Sequence, residues 1–284
     1  MQKTSYALFG SEGFLGEYIY KELVCRNLNV VPVNRIKWEE IKKMNIFKWF
    51  SENNISEIIF AAGYNSRFTP EFIDNLEELE IIFKLINLKN VKFTYLSSVL
   101  VYGINDSDSV NNKFEEKKKC KPTGAYGMYK RIIEKLILST SKYHCVLRLV
   151  SCIGKKKKTG LLKSIEEQLQ DEKCTIKMLH ANTTRDYLWV GNAAKMIIEI
   201  ITSQNSHGIF NVGSGKGIEA IDFINKIADS EKKYIKNIEF GNPMREDPNY
   251  LVMNMGKTKK LIGTEKFERI ANEDQIFKYI NENI

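Results

Sequence analysis

Proline is scarce in this chain, 5 in 284 residues, and glycine reaches only 17. That excludes collagen-like and linker-like sequences, which need far more of both. Histidine is scarcer still. His144, His180 and His207 lie far apart, so no zinc-binding spacing exists. The cysteines Cys25, Cys120, Cys145, Cys152 and Cys174 form no Cys-x-x-Cys pair, and their number is odd. A disulfide framework is not expected; reduced thiols of a cytoplasmic protein are. No apolar run approaches the roughly 18 residues that span a bilayer. The first residues lack the basic-then-apolar layout of a signal peptide. No basic–aromatic motif or helix-turn-helix pattern points to nucleic acid.

Present instead is ordinary globular material, 43% hydrophobic and 27% charged, too apolar for a disordered chain. The length allows one large domain or two closely packed ones. Lysine plus arginine total 43 against 35 acidic residues, a net charge of +8. Such a surplus suits an anionic partner, whether nucleic acid, membrane or a small polyanion.

Residues 6–9 form a short apolar run ending in glycine, the pattern of a buried strand. Phe14, Leu15, Tyr18, Ile19 and Leu23 then recur at helical spacing over 14–24. Further buried strands are expected at 30–33, 58–62, 91–96 and 144–150, with helices at 41–50, 76–88 and 126–138. Strands joined by helical crossovers give a parallel sheet with helices on both faces. Fully apolar strands suit burial on both sides. The expected fold is therefore α/β, a Rossmann-like doubly wound parallel sheet with a small C-terminal substrate-binding lobe. The second half offers helices at 161–169, 190–202 and 218–228 and strands at 175–179 and 209–213. Residues 1–154 are expected to form the sheet domain, with 185–215 returning to it. Residues 155–284 are expected to supply mainly the lobe.

Gly10-Ser11-Glu12-Gly13-Phe14-Leu15-Gly16 lies between the first strand and the first helix. Glycines here allow a tight turn, admit a pyrophosphate to the backbone and let the helix pack closely. The helix N-terminus then offers its N–H groups to phosphates. The Gly-x-x-Gly-x-x-Gly spacing resembles the short-chain dehydrogenase/reductase superfamily in its extended form. The resemblance implies a nicotinamide dinucleotide held by Gly10, Ser11, Gly13, Phe14, Leu15 and Gly16. At the end of the second strand that family often carries an acidic residue for the adenosine ribose. Asn34 and Arg35 stand there instead. A carboxylate repels a 2′-phosphate whereas asparagine and arginine accept one, so NADPH is favoured over NAD.

Three further segments carry the resemblance. Ala61-Ala62-Gly63 follows the third strand, where the family lines its cofactor. Leu96-Ser97-Ser98-Val99-Leu100-Val101-Tyr102-Gly103 is similar to the family's Ser-Ser-x-x-Val-Tyr-Gly, with Ser97 on the cofactor side. Tyr126-Gly127-Met128-Tyr129-Lys130 supplies the Tyr-x-x-x-Lys pair. Tyr126 and Lys130 stand four apart on a helix and share one face. A free tyrosine, with a pKa near 10, is a poor acid or base at neutral pH. A nearby ammonium favours the phenolate and moves it toward the working range. Lys130 is also expected to hold the nicotinamide ribose, and Ser98 to bind the substrate oxygen. Tyr129, where small residues are usual, is the competing tyrosine if the helix register differs.

In the second half, Thr184-Arg185-Asp186-Tyr187-Leu188-Trp189-Val190 resembles the family's Arg-Asp-Tyr/Phe-Ile-His-Val. Phe210-Asn211-Val212-Gly213-Ser214-Gly215 resembles its Phe/Tyr-Asn-Val-Gly-Ser/Thr-Gly. The resemblance implies that Arg185 and Arg245 clamp a nucleotide diphosphate and that Asn211 lies in the substrate site. Ser151 replaces the family's asparagine beside the substrate. Lys155 to Lys158 follow at once, where they could attract phosphate or simply be solvated.

Sugar 4,6-dehydratases of this family carry Asp-Glu after the catalytic Ser/Thr. Val99 and Leu100 stand there and do no acid–base work. The epimerising reductases use a cysteine at the Val99 position and a downstream histidine, both missing. Ser98, Tyr126 and Lys130 remain, enough for hydride transfer with protonation of the alkoxide. The short chain resembles small nucleotide-deoxysugar 4-ketoreductases of the CDP-abequose and CDP-paratose synthase type. The expectation is NADPH-dependent reduction of a 4-keto nucleotide sugar in the cytoplasm. An NAD-dependent 4-epimerase is the main rival, and a non-catalytic NAD(P)-binding sensor or scaffold is a third reading. The family often dimerises through paired helices, here 76–88 and 126–138. Neither metal, membrane nor nucleic acid is expected.

Overall fold

Along the first strand, Tyr6 and Leu8 enter one apolar core and Ala7 and Phe9 another. That alternation sandwiches the sheet between two helical layers. The computed structural model describes residues 4–63, 74–103, 112–140, 143–154, 161–171, 175–178, 183–241 and 249–272. The chain runs β1 (Ser5–Phe9), α1 (Phe14–Cys25), β2 (Asn29–Val33), α2 (Arg35–Lys43), α3 (Ile46–Glu52) and β3 (Glu57–Phe60). It continues with α4 (Asp74–Ile86), β4 (Lys92–Ser98), a 3₁₀ turn at Val99–Val101, α5 (Ala125–Thr140) and β5 (His144–Leu149). After β5 come β6 (Ser151–Ile153), α6 (Leu161–Leu169), β7 (Thr175–Met178), β8 (Thr184–Arg185), β9 (Tyr187–Trp189), α7 (Val190–Thr202) and β10 (Gly208–Val212). The remainder is β11 (Ile218–Glu219), α8 (Ala220–Ser230), β12 (Asn237–Phe240), β13 (Tyr250–Leu251), α9 (Gly256–Ile262) and α10 (Thr264–Ile270).

The main sheet has six strands in the order β10-β5-β4-β3-β1-β2, every pairing parallel. This is the expected Rossmann-like architecture, with the strand order reversing beside β1. One core joins α1 and α7 to the sheet through Ile19, Leu23, Met196, Ile197 and Ile200. The opposite core takes Ile41, Phe50, Ile82, Ile133 and Ile137 from α2 to α5. A third core, around Ile165, Ile176, Phe223 and Ile227, joins α6 and α8 to the short strands. There β12 pairs with β7, and β8 with both β11 and β13.

Two expectations are corrected. The helix expected at 41–50 is two helices, broken at Met44 where the backbone is extended. Asn45 then caps α3, its side-chain oxygen accepting from the Phe47 and Lys48 N–H groups at 3.1 and 3.3 Å. Asparagine at a cap competes well against helix continuation. The helix expected from 218 starts at Ala220, because Ile218 and Glu219 pair with β8. On α4 and α5, the helices expected to pair two copies, Phe83, Met128 and Ile132 are each about half exposed.

Candidate active site

The glycine turn has the geometry its spacing predicts. Gly10 adopts φ +80°, and a side chain there would come within 2.6 Å of the Ala62 nitrogen. A side chain on Gly16 would overlap the Gly10 carbonyl, so α1 can sit this close only as glycine. Gly13 caps α1, with Phe14 and Leu15 in its first turn. Ser11 is buried within the turn. Ala61 and Ala62 leave β3 beside it, and the Ala61 N–H donates to the Phe9 carbonyl at 3.0 Å. A turn whose glycines at 10 and 16 leave no room for a side chain, opening onto a helix N-terminus, fits the pyrophosphate of a dinucleotide.

At the end of β2 the Asn34 side chain is engaged within the protein. Its oxygen caps α2, accepting from the Lys37 N–H at 2.9 Å, and its Nδ2 donates to Glu12 Oε1 at 2.8 Å. A carboxylate therefore stands beside β2 although no acidic residue ends that strand. Arg35 opens α2, but its side chain lies outside the described residues.

At the carboxyl end of β4 lie Ser98 and, from α5, the Lys130 ammonium. Ser98 ends the strand, and its Oγ accepts from the Leu100 N–H at 3.2 Å. Tyr126 and Lys130 lie in the first two turns of α5, which packs against the 3₁₀ turn that follows Ser98. The Lys130 ammonium is buried and donates to the Leu96 carbonyl at 3.0 Å. It lies 4.8 Å from the Tyr95 ring centroid and 5.7 Å from that of Tyr126. Among the described residues no hydrogen bond occupies the half-exposed Tyr126 hydroxyl. Tyr129, the competing tyrosine, is buried in the helical core. Gly127, about which the motif alone says nothing, lets α5 approach closely: a side chain there would come within 2.6 Å of the Leu100 carbonyl oxygen.

Behind this set lies a buried polar cluster. Ser97, expected on the cofactor side, turns its hydroxyl inward and donates to Glu134 Oε1 at 2.6 Å. Arg148 grips the same carboxylate with two N–H groups at 3.0 and 2.8 Å, and Arg131 adds a third at 2.8 Å. The side chains of Glu134 and Arg148 are 0% and 1% exposed. Burial alone would raise the Glu134 pKa. The hydrogen bonds and charge of Arg148, with Ser97 and Arg131, outweigh that and hold the carboxyl below its ordinary value. Arg148 also lies over the Tyr102 ring, 4.6 Å from ring centroid to guanidinium carbon.

Asn211 is corrected from substrate contact to structural hub. It is 0% exposed. Its Oδ1 accepts from the Tyr102 hydroxyl at 2.7 Å, and its Nδ2 donates to the Phe114 and Asn254 carbonyls at 2.8 and 3.1 Å. No polar atom of that side chain is left to reach a ligand. Asp186 plays a similar part. It accepts from the Ser214 N–H and hydroxyl and from the Gly215 N–H at 2.7 to 2.9 Å. Burial lifts its carboxyl to about 6, against the pull of those bonds.

Of the residues expected at the sugar, Ser151 opens β6 opposite Tyr187, and Arg185 sits half-buried in β8. Arg245 and Lys155 to Lys158 lie outside the described residues. Among the described residues no group of three or more His, Cys, Asp or Glu could hold a metal ion. No described helix is long and apolar enough to cross a membrane.

A six-stranded parallel sheet with a glycine turn at β1 and a Tyr-x-x-x-Lys helix beside β4 defines a Rossmann-like fold of the extended short-chain dehydrogenase/reductase type. Residues 7–213 match the model of the NAD dependent epimerase/dehydratase family, and the chain belongs to that family. A dTDP-D-glucose 4,6-dehydratase of Dictyostelium discoideum is 30% identical over 262 residues, 77% of this chain. The chain spans only 60% of that relative's length. An ADP-L-glycero-D-manno-heptose-6-epimerase of Fusobacterium nucleatum is 21% identical over 75% of this chain and 76% of its own. Among solved structures, UDP-glucuronic acid 4-epimerase from Bacillus cereus, in complex with UDP-glucuronic acid and NAD, aligns with a TM-score of 0.77. It covers 99% of this chain and 100% of its own at 15% identity. An NAD-dependent NDP-hexosamine 5,6-dehydratase of tunicamycin biosynthesis aligns at 0.79, covering 98% and 97%, with 14% identity. At such identities the likeness is one of fold.

Proposed function

We propose that this protein moves a hydride between a nicotinamide dinucleotide and C4 of a nucleotide-activated sugar, in the direction that reduces a 4-keto group to a hydroxyl. One observation carries the reading. Tyr126 and Lys130 stand on α5, with Lys130 bonded to Leu96 near the end of β4 that Ser98 closes, and the next residues are Val99 and Leu100. The set can therefore exchange a proton at a carbonyl oxygen, but it lacks an acid–base pair there for eliminating water. That argues against the dehydration named for the Dictyostelium relative.

The roles follow from position. The Ser98 hydroxyl, accepting from Leu100, keeps its own proton for the substrate oxygen. Tyr126 donates its proton to that oxygen as the carbonyl is reduced. Lys130, anchored on the Leu96 carbonyl, stabilises the phenolate left behind. A nicotinamide dinucleotide, whose pyrophosphate the glycine turn would hold, would supply the hydride when bound. Ser151 and Arg185 take the sugar and the diphosphate, with the lobe around α6 and α8 closing that side.

The Glu12–Asn34 pair favours NAD over the NADPH expected from Asn34 and Arg35. It thereby supports a second reading, a 4-epimerase that oxidises and re-reduces the same carbon with retained NAD. The test is absorbance at 340 nm with reduced cofactor and 4-keto-6-deoxy nucleotide sugars carrying CDP, dTDP, GDP or UDP. Loss of absorbance supports reduction. No loss with any of the four sinks it, and NAD released on denaturation then marks the epimerase.

A further inference from the structure

The Gly10 N–H donates to the Val33 carbonyl at 2.9 Å, which draws the glycine turn against the end of β2. Glu12, exposed at the tip of that turn, meets Asn34 there, with 2.8 Å between Asn34 Nδ2 and Glu12 Oε1. Asn34 is itself fixed, because its other side-chain atom caps α2 through the Lys37 N–H. The Lys37 ammonium is turned away to Glu40 at 2.9 Å and does not neutralise Glu12. A carboxylate is thus held by one oxygen, with the other left to accept a hydrogen bond.

We propose that Glu12, oriented by Asn34, selects the cofactor by accepting from the ribose 2′-hydroxyl of NAD and repelling the 2′-phosphate of NADP. The inference rests on the reading that a nicotinamide dinucleotide binds along the glycine turn. In dinucleotide-binding folds a carboxylate commonly serves the ribose from the second strand. Here that strand ends in asparagine, and the charge comes instead from the turn before α1. The two positions are brought together by the Gly10–Val33 hydrogen bond, so the carboxylate acts at the same place from a different element. Discrimination then comes mainly from repulsion: a phosphate of nearly two negative charges is set against a fixed carboxylate.

Calorimetric titration of the full chain with NAD⁺ and NADP⁺ tests this without requiring turnover. The wild type is expected to bind NAD⁺ at least about tenfold more tightly. Glu12→Gln keeps the size and removes the charge, and should bring the two affinities to within about threefold. Glu12→Ala should do the same while also weakening NAD⁺. Because Glu12 is exposed, both variants should melt with the wild type. Equal or tighter NADP⁺ binding by the wild type overturns the proposal and returns the choice to Arg35. An unchanged ratio in both variants also overturns it. If the wild type binds neither cofactor, the dinucleotide reading itself falls, and this inference with it.

Discussion

Two polar clusters sit at the carboxyl edge of the same sheet and behave in opposite ways. Ser98 and Tyr126 are half-exposed, and beyond the turn bond from Leu100 few of their polar atoms are engaged. Glu134, Arg148, Asp186 and Asn211 are buried, and each is held by several hydrogen bonds. Residues of both kinds occur in the segments that resemble the family. The difference teaches that a motif mixes groups that do chemistry with groups that hold the chemistry in place. Glu134 lies two helical turns beyond Tyr126 on α5, so the scaffold is built into the same helix as the Tyr-x-x-x-Lys pair.

The comparison breaks most visibly at the buried pair. Arg148→Ala leaves the Glu134 carboxylate buried with only Arg131 and Ser97, and should cost about 3–5 kcal/mol of stability in urea unfolding. A loss under about 1 kcal/mol would show that the fork is not structural. Tyr126→Phe should do the reverse. Turnover should fall by about 10² to 10⁴, while the melting temperature and cofactor affinity stay at wild-type values. A large stability loss would move Tyr126 into the scaffold.

A smaller effect is expected at Asp186. Asp186→Asn turns one acceptor into a donor facing the 214–215 N–H groups, at a cost of about 1–3 kcal/mol. Its pH dependence has a definite sign. Burial raises the folded-state value to about 6, above the ordinary carboxylate range, so the native state holds this proton more tightly. The Asp186 contribution is full below the ordinary value and declines as pH rises to about 6. The advantage of the wild type over Asp186→Asn should therefore be larger near the acid end of that window than at neutral pH. An advantage that grows toward neutrality would show that hydrogen bonds outweigh burial at this carboxyl.

Much of the sheet was legible because its strands are local: residues 6–9 and 58–60 are apolar runs too short to form a buried helix, and 145–147 is the apolar centre of a third such strand. The glycine turn and the Tyr126–Lys130 pair were legible for the same reason, since spacing along one element sets their geometry. The break at Met44 and Asn45 was missed because a helical apolar period persists across it, and only the cap at Asn45 decides against it. Asn211 was misread because a motif gives residue type without burial.

The sequence by itself determined the parallel sheet, the glycine turn and the placing of Tyr126 and Lys130 on one helix face, because each depends on residues a few positions apart. Tertiary structure alone decided which polar groups would be spent. Glu134 and Arg148 meet across two elements, Asn211 is closed in by the 114 and 254 segments, and Glu12 reaches Asn34 because β1 and β2 are neighbours. Hydrogen bonds and charge act over a few ångströms of space, whatever the distance along the chain. The choice between binding a ligand and holding the fold is therefore made only when the strands are side by side.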